Sequence, residues 1–183
     1  MIYILPTDTC FWIWCAFDDV KSYNKIYKIK KRPLSKPLAI MVLDFDWLEY
    51  NTNLNEDQIN FLKNYKKPFS IMCESSRIKM ILNLEQDDFN YENKESYKKI
   101  VFRVAHNDIQ KKLISEIWPI FLTSANFSWE KEIYNTIEAW KQFENFKKDI
   151  TFLWENITLK NTPPSDIFEF EWETTNIKFL RQN

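Results

Sequence analysis

The 183-residue sequence contains no glycine, where ordinary usage of about 7% would supply about 13. Only glycine reaches positive φ without strain, so the turns of any folded domain built from this chain must use other residues there. Histidine occurs once, at His106. That excludes a His-rich metal centre and leaves a single residue on which a Ser-His-Asp or Cys-His site could be built. The three cysteines, Cys10, Cys15 and Cys73, are odd in number and lack C-x-x-C spacing. Neither a disulfide framework nor a zinc knuckle is expected; buried thiols in a reducing compartment are. Apolar runs such as Ile117–Leu122 fall far short of the roughly 18 residues of a membrane span, and the start Met1-Ile2-Tyr3-Ile4-Leu5-Pro6 has no charged targeting region. The expected location is the cytoplasm, with no membrane partner. Neither sign of charge dominates: 25 Lys+Arg face 26 Asp+Glu, which excludes binding of nucleic acid by the whole surface.

What is present is a chain with 45% hydrophobic residues and eight tryptophans, long enough for one domain over residues 1–183 with a real core. Short β-branched and aromatic runs at Ile2–Leu5, Phe11–Phe17, Leu38–Val42, Phe69–Cys73, Ile100–Val104, Ile120–Leu122, Ile167–Phe170 and Ile177–Leu180 predict strands. Between them, Val20, Tyr23, Tyr27 and Lys30 recur at helical spacing, Asn55–Lys63 is amphipathic, and Ile109, Leu113, Ile114 and Ile117 share one helical face after a capping Asn107 or Asp108. Thr136 is expected to cap a further helix through Phe143, and residues 83–99 are expected to form a polar surface excursion. Interleaved strands and helices give an α/β fold with a mixed sheet.

Three kinds of position could carry chemistry. From Lys21 to Lys36 there are seven basic residues and no acid, and Lys30-Lys31-Arg32-Pro33 holds an ammonium and a guanidinium in a proline-stiffened loop. Such a pair suits a polyphosphate: Arg forks two oxygens while Lys acts as a point charge. Thr123-Ser124-Ala125-Asn126, with Ser128, forms a hydroxyl and amide cluster at a strand's carboxyl end, where α/β sheets gather ligands. Pro6-Thr7-Asp8-Thr9 and Pro163-Pro164-Ser165-Asp166 are hydroxyl loops of the same kind. Arg103 lies in a predicted buried strand, where an unpaired guanidinium is costly, so it needs an anion, either a carboxylate of the chain or a ligand.

Taken in chain order, Leu5-Pro6-Thr7-Asp8-Thr9, Lys30-Lys31-Arg32-Pro33 with Lys36-Pro37-Leu38, Phe102-Arg103-Val104, Thr123-Ser124-Ala125-Asn126-Phe127-Ser128, Pro164-Ser165 and Leu180-Arg181-Gln182 resemble the YrdC-like threonylcarbamoyl-AMP synthases. The resemblance implies a single-domain YrdC-like α/β fold, a twisted mixed parallel/antiparallel sheet with flanking helices and a basic concave site. It implies a nucleotidyltransferase that makes threonylcarbamoyl-AMP and pyrophosphate from L-threonine, bicarbonate and ATP, with Mg²⁺ accompanying the triphosphate. The product feeds threonylcarbamoyladenosine modification of tRNA through a downstream transferase complex; direct tRNA contact is a further implied partner. By position, Lys30 and Arg32 are the catalytic phosphate clamp, Ser124, Asn126 and Arg181 complete the ATP site, and Thr9, Arg103, Thr123 and Ser165 hold threonine. Lys36 lies near a substrate-contacting position. The alternatives are a non-catalytic RNA-binding module of this fold and a relative that handles carbamoyl adenylates.

Asp166 replaces a common threonine beside Ser165 and brings a negative charge near the expected site. Trp12, Trp14 and Trp129 stand where the family has glycine, and Trp118 and Trp154 where it commonly turns on glycine. Two readings follow. Either the organism reads UGA as glycine, so that the written tryptophans are glycines in the native protein, or the protein is Trp-rich and Trp12 and Trp14 form an aromatic platform for a base.

Overall fold

The computed structural model describes residues 1–81, 97–117, 119–153 and 156–183. Strands β1 (Ile2–Pro6) and β2 (Phe11–Ala16) form an antiparallel hairpin. Its turn is closed by Thr7, whose Oγ1 donates to the Cys10 carbonyl at 2.7 Å and whose N–H reaches the same oxygen at 3.2 Å. A threonine hydroxyl thus pins the bend without glycine. Helix α1 (Val20–Lys30) starts at Asp19, which accepts from the Ser22 N–H, and buries Tyr23, Ile26, Tyr27 and Lys30. It ends at Lys31 with φ 47°, the left-handed capping conformation that glycine normally supplies.

There follow β3 (Ala39–Val42), α2 (Phe45–Asn51), α3 (Glu56–Asn64), β4 (Phe69–Cys73), α4 (Ser76–Ile81), β5 (Ile100–Val104), α5 (Asp108–Ile117), β6 (Ile120–Ser124) and α6 (Thr136–Gln142). A short 3₁₀ turn (Glu144–Phe146) leads into β7 (Ile150–Phe152), β8 (Asp166–Phe170) and β9 (Ile177–Arg181). Strand β6 runs through Ser124, two residues past the expected end, because Thr123 and Ser124 keep pairing with Ile13 and Trp12. The cap of α6 is Asn135, whose side chain accepts from the Glu138 N–H; Thr136 is the first helical residue and instead bonds the Ile157 carbonyl. Helices α2 and α4 and strand β7 had no clear sequence signal. Of the expected excursion, residues 83–96 lie outside the described residues. Tyr97 belongs to the core, its hydroxyl 2.6 Å from that of Tyr23.

Among the described residues the nine strands form one sheet in the order β7-β1-β2-β6-β3-β5-β4-β8-β9. Pairs β1–β7, β3–β5 and β4–β8 are parallel and the others antiparallel, the mixed α/β architecture expected. Alternation divides the strands between two faces. Phe11, Ile13 and Cys15 of β2, with Ile40, Phe102 and Ile71 on neighbouring strands, join Tyr23, Ile26, Ile59 and Leu62 of α1 and α3 in the main core. Trp12 and Trp14 face the other way, with Leu5, Met41, Ile120, Leu122 and Ile114 of α5. All three cysteines are free and buried. Among the described residues no helix is long and apolar enough to cross a membrane.

Candidate active site

Helix α5 covers only part of this second face, and beside it lies a cavity of about 580 Å³, within the usual range for a small-ligand site. Its floor takes at least one side chain from each of six adjacent strands, among them Trp12, Leu122, Ala39, Val101, Met72 and Ile167. Its rim is polar. The loop after α1 contributes Arg32 and Lys36, the segment after β6 contributes Asn126 and Ser128, and the far side contributes Ser165 and Arg181.

Lys30 is 1% exposed. Its ammonium donates to the Ser124 carbonyl at 2.5 Å and to the Asn126 carbonyl, fastening the end of α1 to the end of β6. A backbone bond from Ser128 N–H to the Lys30 carbonyl, 3.2 Å, doubles that link. Burial, with the Arg32 charge adding to it, lowers the Lys30 amine from 10.5 to about 7. Arg32 is oriented by the loop it closes: Nε and Nη2 donate to the Lys36 and Pro37 carbonyls at 2.8 and 2.9 Å, and Nη1 reaches Thr123 Oγ1 at 3.5 Å. Both cations are therefore positioned by backbone carbonyls, and the guanidinium keeps two of its five N–H groups for a ligand.

Across the cavity, Arg181 Nε and Nη2 both donate to the Ser165 carbonyl, at 3.0 and 2.7 Å, and Nη2 reaches Ser165 Oγ at 3.2 Å. Burial lowers the Arg181 pKa, against the opposing charge of nearby Glu132. Asn126 Nδ2 donates to the Glu130 carbonyl, while its buried Oδ1 has no partner. Thr9 Oγ1 lies 3.2 Å from Thr7 Oγ1 and accepts from Trp12 Nε1 at 3.3 Å.

Eight of the nine site residues expected from the sequence, Thr9, Lys30, Arg32, Thr123, Ser124, Asn126, Ser165 and Arg181, line this one cavity, and Lys36 joins them. Arg103 does not. Its Nη2 chelates both carboxylate oxygens of Asp8 at 2.7 and 2.8 Å, and Nη1 donates to the Phe69 carbonyl. Of the two anions the sequence allowed, the chain supplies a carboxylate. Burial pushes the Asp8 pKa up, but the Arg103 charge and hydrogen bonds outweigh it and leave it below the ordinary value. Arg103 lines a second cavity of about 430 Å³ with Asp8, His106, Lys63 and Lys111. The Asp166 carboxylate is engaged by the chain itself, accepting from Tyr65 Oη at 2.7 Å and Asn183 N–H at 2.8 Å, and its charge acts on Arg181.

Sequence reading missed Ser70, Cys10 and Glu132, all on the cavity wall. Ser70 carries a signal in retrospect, as the one hydroxyl in the apolar strand Phe69–Cys73. Burial raises the Cys10 thiol to about 11, which keeps it protonated at neutral pH. Glu132 looks like any surface acid in the sequence. Among the described residues it makes no hydrogen bond, yet its charge acts on both Lys30 and Arg181.

Among solved structures, the chain is similar to full-length HypF in its phosphate- and nucleotide-bound form, with TM-score 0.76 and 18% identity over 98% of this chain and 26% of that one. It is similar to P. abyssi Sua5 complexed with L-threonine, with TM-score 0.74 and 20% identity over 98% and 49% of the two chains. It also matches E. coli YciO, with TM-score 0.74 and 16% identity over 99% and 82%. The chain thus spans under half the length of HypF and of Sua5. At these identities the likeness is one of fold. No protein with a curated description matches the sequence. The family model Sua5/yciO/yrdC, described as "Telomere recombination", matches residues 1–183, and the chain belongs to that family.

Proposed function

We propose that the chain is an L-threonylcarbamoyladenylate synthase, acting in the cytoplasm on L-threonine, bicarbonate and ATP for tRNA threonylcarbamoyladenosine modification. The observation that carries this reading is the gathering of Lys30, Arg32, Ser124, Asn126 and Arg181 around one cavity with the hydroxyls of Thr9, Thr123 and Ser165. The fold likeness to a Sua5 that binds L-threonine and a HypF that binds nucleotide supports it.

The chemistry asks little beyond positioning and charge neutralisation. Threonine amine and bicarbonate combine with loss of water, a carbamate oxygen attacks the α-phosphorus in line, and the bond to the bridging oxygen breaks as pyrophosphate leaves. No covalent nucleophile is needed, in keeping with the raised Cys10 thiol. Lys30 and the free N–H groups of Arg32 receive the phosphates. Ser124, Asn126 and Arg181 hold the nucleotide, and Thr9, Thr123 and Ser165 orient threonine.

Mg²⁺ with the triphosphate fits the donors present. Among the described residues no group of three His, Cys, Asp or Glu could hold a metal, but Glu132 offers one uncommitted carboxylate at the cavity wall. Phosphate oxygens and water would complete an octahedral shell. When bound, the ion neutralises charge on the departing pyrophosphate.

The test is pyrophosphate release from ATP that requires both threonine and bicarbonate. Lys30→Ala or Arg32→Ala, checked for folding by circular dichroism, lowers kcat/KM by about 100-fold or more; full activity in either variant removes the clamp assignment. Binding to tRNA that collapses with salt and ignores threonine, with no pyrophosphate released, replaces the synthase with an RNA-binding module.

A further inference from the structure

Behind the loop that presents Arg32 lie three tyrosine hydroxyls that the proposed chemistry does not use. Tyr23 and Tyr27 come from α1 and Tyr97 from the segment before β5, and none is more than 4% exposed. Tyr97 Oη accepts from Leu38 N–H at 3.2 Å and lies 2.6 Å from Tyr23 Oη, which lies 3.2 Å from Tyr27 Oη. Tyr27 Oη in turn donates to the Lys36 carbonyl at 3.0 Å. A backbone N–H can only donate and a carbonyl can only accept, so this row of contacts is satisfied with all three hydroxyl protons running from Leu38 towards Lys36. Hydroxyls in such a row polarise and strengthen one another. Phenylalanine would fill the same volume against Phe121, whose ring meets those of Tyr23 and Tyr97, so packing alone does not call for the oxygens. A buried hydroxyl without a partner is unfavourable, and here each has one on both sides. Burial, with Tyr23 and Tyr27 beside it, pushes the Tyr97 hydroxyl well above its ordinary pKa and keeps it a donor.

The row ends on the atom that aims the guanidinium. The Lys36 carbonyl accepts from Arg32 Nε at 2.8 Å as well as from Tyr27 Oη, which occupies both its lone pairs, and the Tyr27 carbonyl accepts from the Arg32 N–H at 2.9 Å. Tyr27 thus holds Arg32 at the backbone and, through Lys36, at the side chain, while Tyr97 holds the same loop at Leu38. We propose that Tyr27, Tyr23 and Tyr97 are positioning residues for Arg32: their hydroxyls fix the Lys36 carbonyl and, with it, the direction of the guanidinium N–H groups left free. The proposal rests on the synthase reading for the polyphosphate that those groups meet, though not for the placement of Arg32. Losing one hydroxyl breaks the row without emptying the core, lets the Lys36 carbonyl turn and takes the guanidinium off its line.

The test compares the full chain with Tyr27→Phe, Tyr97→Phe, Arg32→Ala and the double variant Tyr27→Phe/Arg32→Ala. Hydrogen exchange at the Arg32 Nε–H, followed by NMR without ligand, reads placement alone: Tyr27→Phe speeds it about tenfold, and Tyr97→Phe, two hydroxyls further from Lys36, about threefold. Calorimetry with inorganic tripolyphosphate reads the consequence: Tyr27→Phe weakens binding about tenfold in the parent chain and not at all in the Arg32→Ala background. A merely structural role weakens binding by the same factor in both backgrounds, and that result, or unchanged exchange in the folded variants, overturns the proposal. Should Tyr27→Phe fail to fold, Tyr97→Phe carries both measurements from the other end of the row. Exchange that speeds as expected in a chain whose parent does not bind tripolyphosphate upholds the positioning and sinks the phosphate clamp of the synthase reading instead.

Discussion

At the scale of single residues, Lys30 shows how burial changes what a charge can do. The sequence offers seven cations between Lys21 and Lys36, and nothing in the pattern says which is buried. The structure pairs Lys25 with Asp149 at 2.5 Å, sets Lys31 over the Trp129 ring and buries Lys30. Its amine falls to about 7 when folded against 10.5 for the ordinary group. Between those values the unfolded chain holds the extra proton, so Lys30 makes the fold more stable as pH rises through this window and least stable below it. A bound polyphosphate favours the ammonium and raises the folded pKa again. Triphosphate affinity is therefore highest below pH 7 and weakens as pH rises above it. Calorimetry at pH 8 in two buffers of different ionisation heat should register proton uptake on binding; none in the parent chain would mean the phosphates do not meet Lys30. The same scale explains Asp8: a turn acid gives no hint in sequence that it will claim Arg103 from a strand 95 residues away.

At the scale of elements, what was legible carried its own local signal. Helix α3 announces itself through the reciprocal capping box of Asn55 and Gln58, and α5 through Asn107, whose side chain accepts from the Gln110 N–H. Short elements were not legible, because α2 and β7 are fixed by tertiary contacts: Trp47 lies against Phe102, 5.8 Å between ring centres, and β7 exists by pairing with β1. Turns without glycine bear a cost. Trp172, in the β8–β9 connection, has φ 53° and is 92% exposed, and its carbonyl is held by Gln58 Nε2 at 2.9 Å. A bulky residue in that conformation is strained by about 1–2 kcal/mol. Trp172→Gly should raise stability by about 1 kcal/mol and the midpoint of thermal unfolding by about 2–4 °C. A denaturant titration with unchanged slope checks it, and a loss of stability would show that the exposed indole contributes more than the backbone costs.

At the scale of the whole molecule, the tryptophans divide into groups. Trp47 packs as core, Trp14 is buried with its Nε1 unpartnered, Trp12 walls the cavity, Trp172 strains a turn, and Trp129 and Trp140 are half-exposed. Trp118 and Trp154 lie outside the described residues. Glycine would relieve Trp14 and Trp172 and open the wall at 12, as the glycine-codon reading expects. Intact-mass measurement on protein from its own organism decides between the readings: a mass lower than the written sequence by whole Trp-to-Gly differences supports recoding, and one matching all eight tryptophans excludes it. Eight of the nine residues that the family resemblance singles out line one cavity, whereas the second cavity, with Arg103 bound to Asp8, had no signal in the sequence because it arises from how long side chains cross a sheet.

The cavity floor draws on six neighbouring strands that lie far apart along the chain, from Trp12 to Ile167. No fragment or partly folded intermediate holds such a floor, because each missing strand removes a board from its middle. Any ligand that occupies the trough therefore acts as a clasp on the entire sheet, out to edges it never touches, and its binding is linked to cooperative folding.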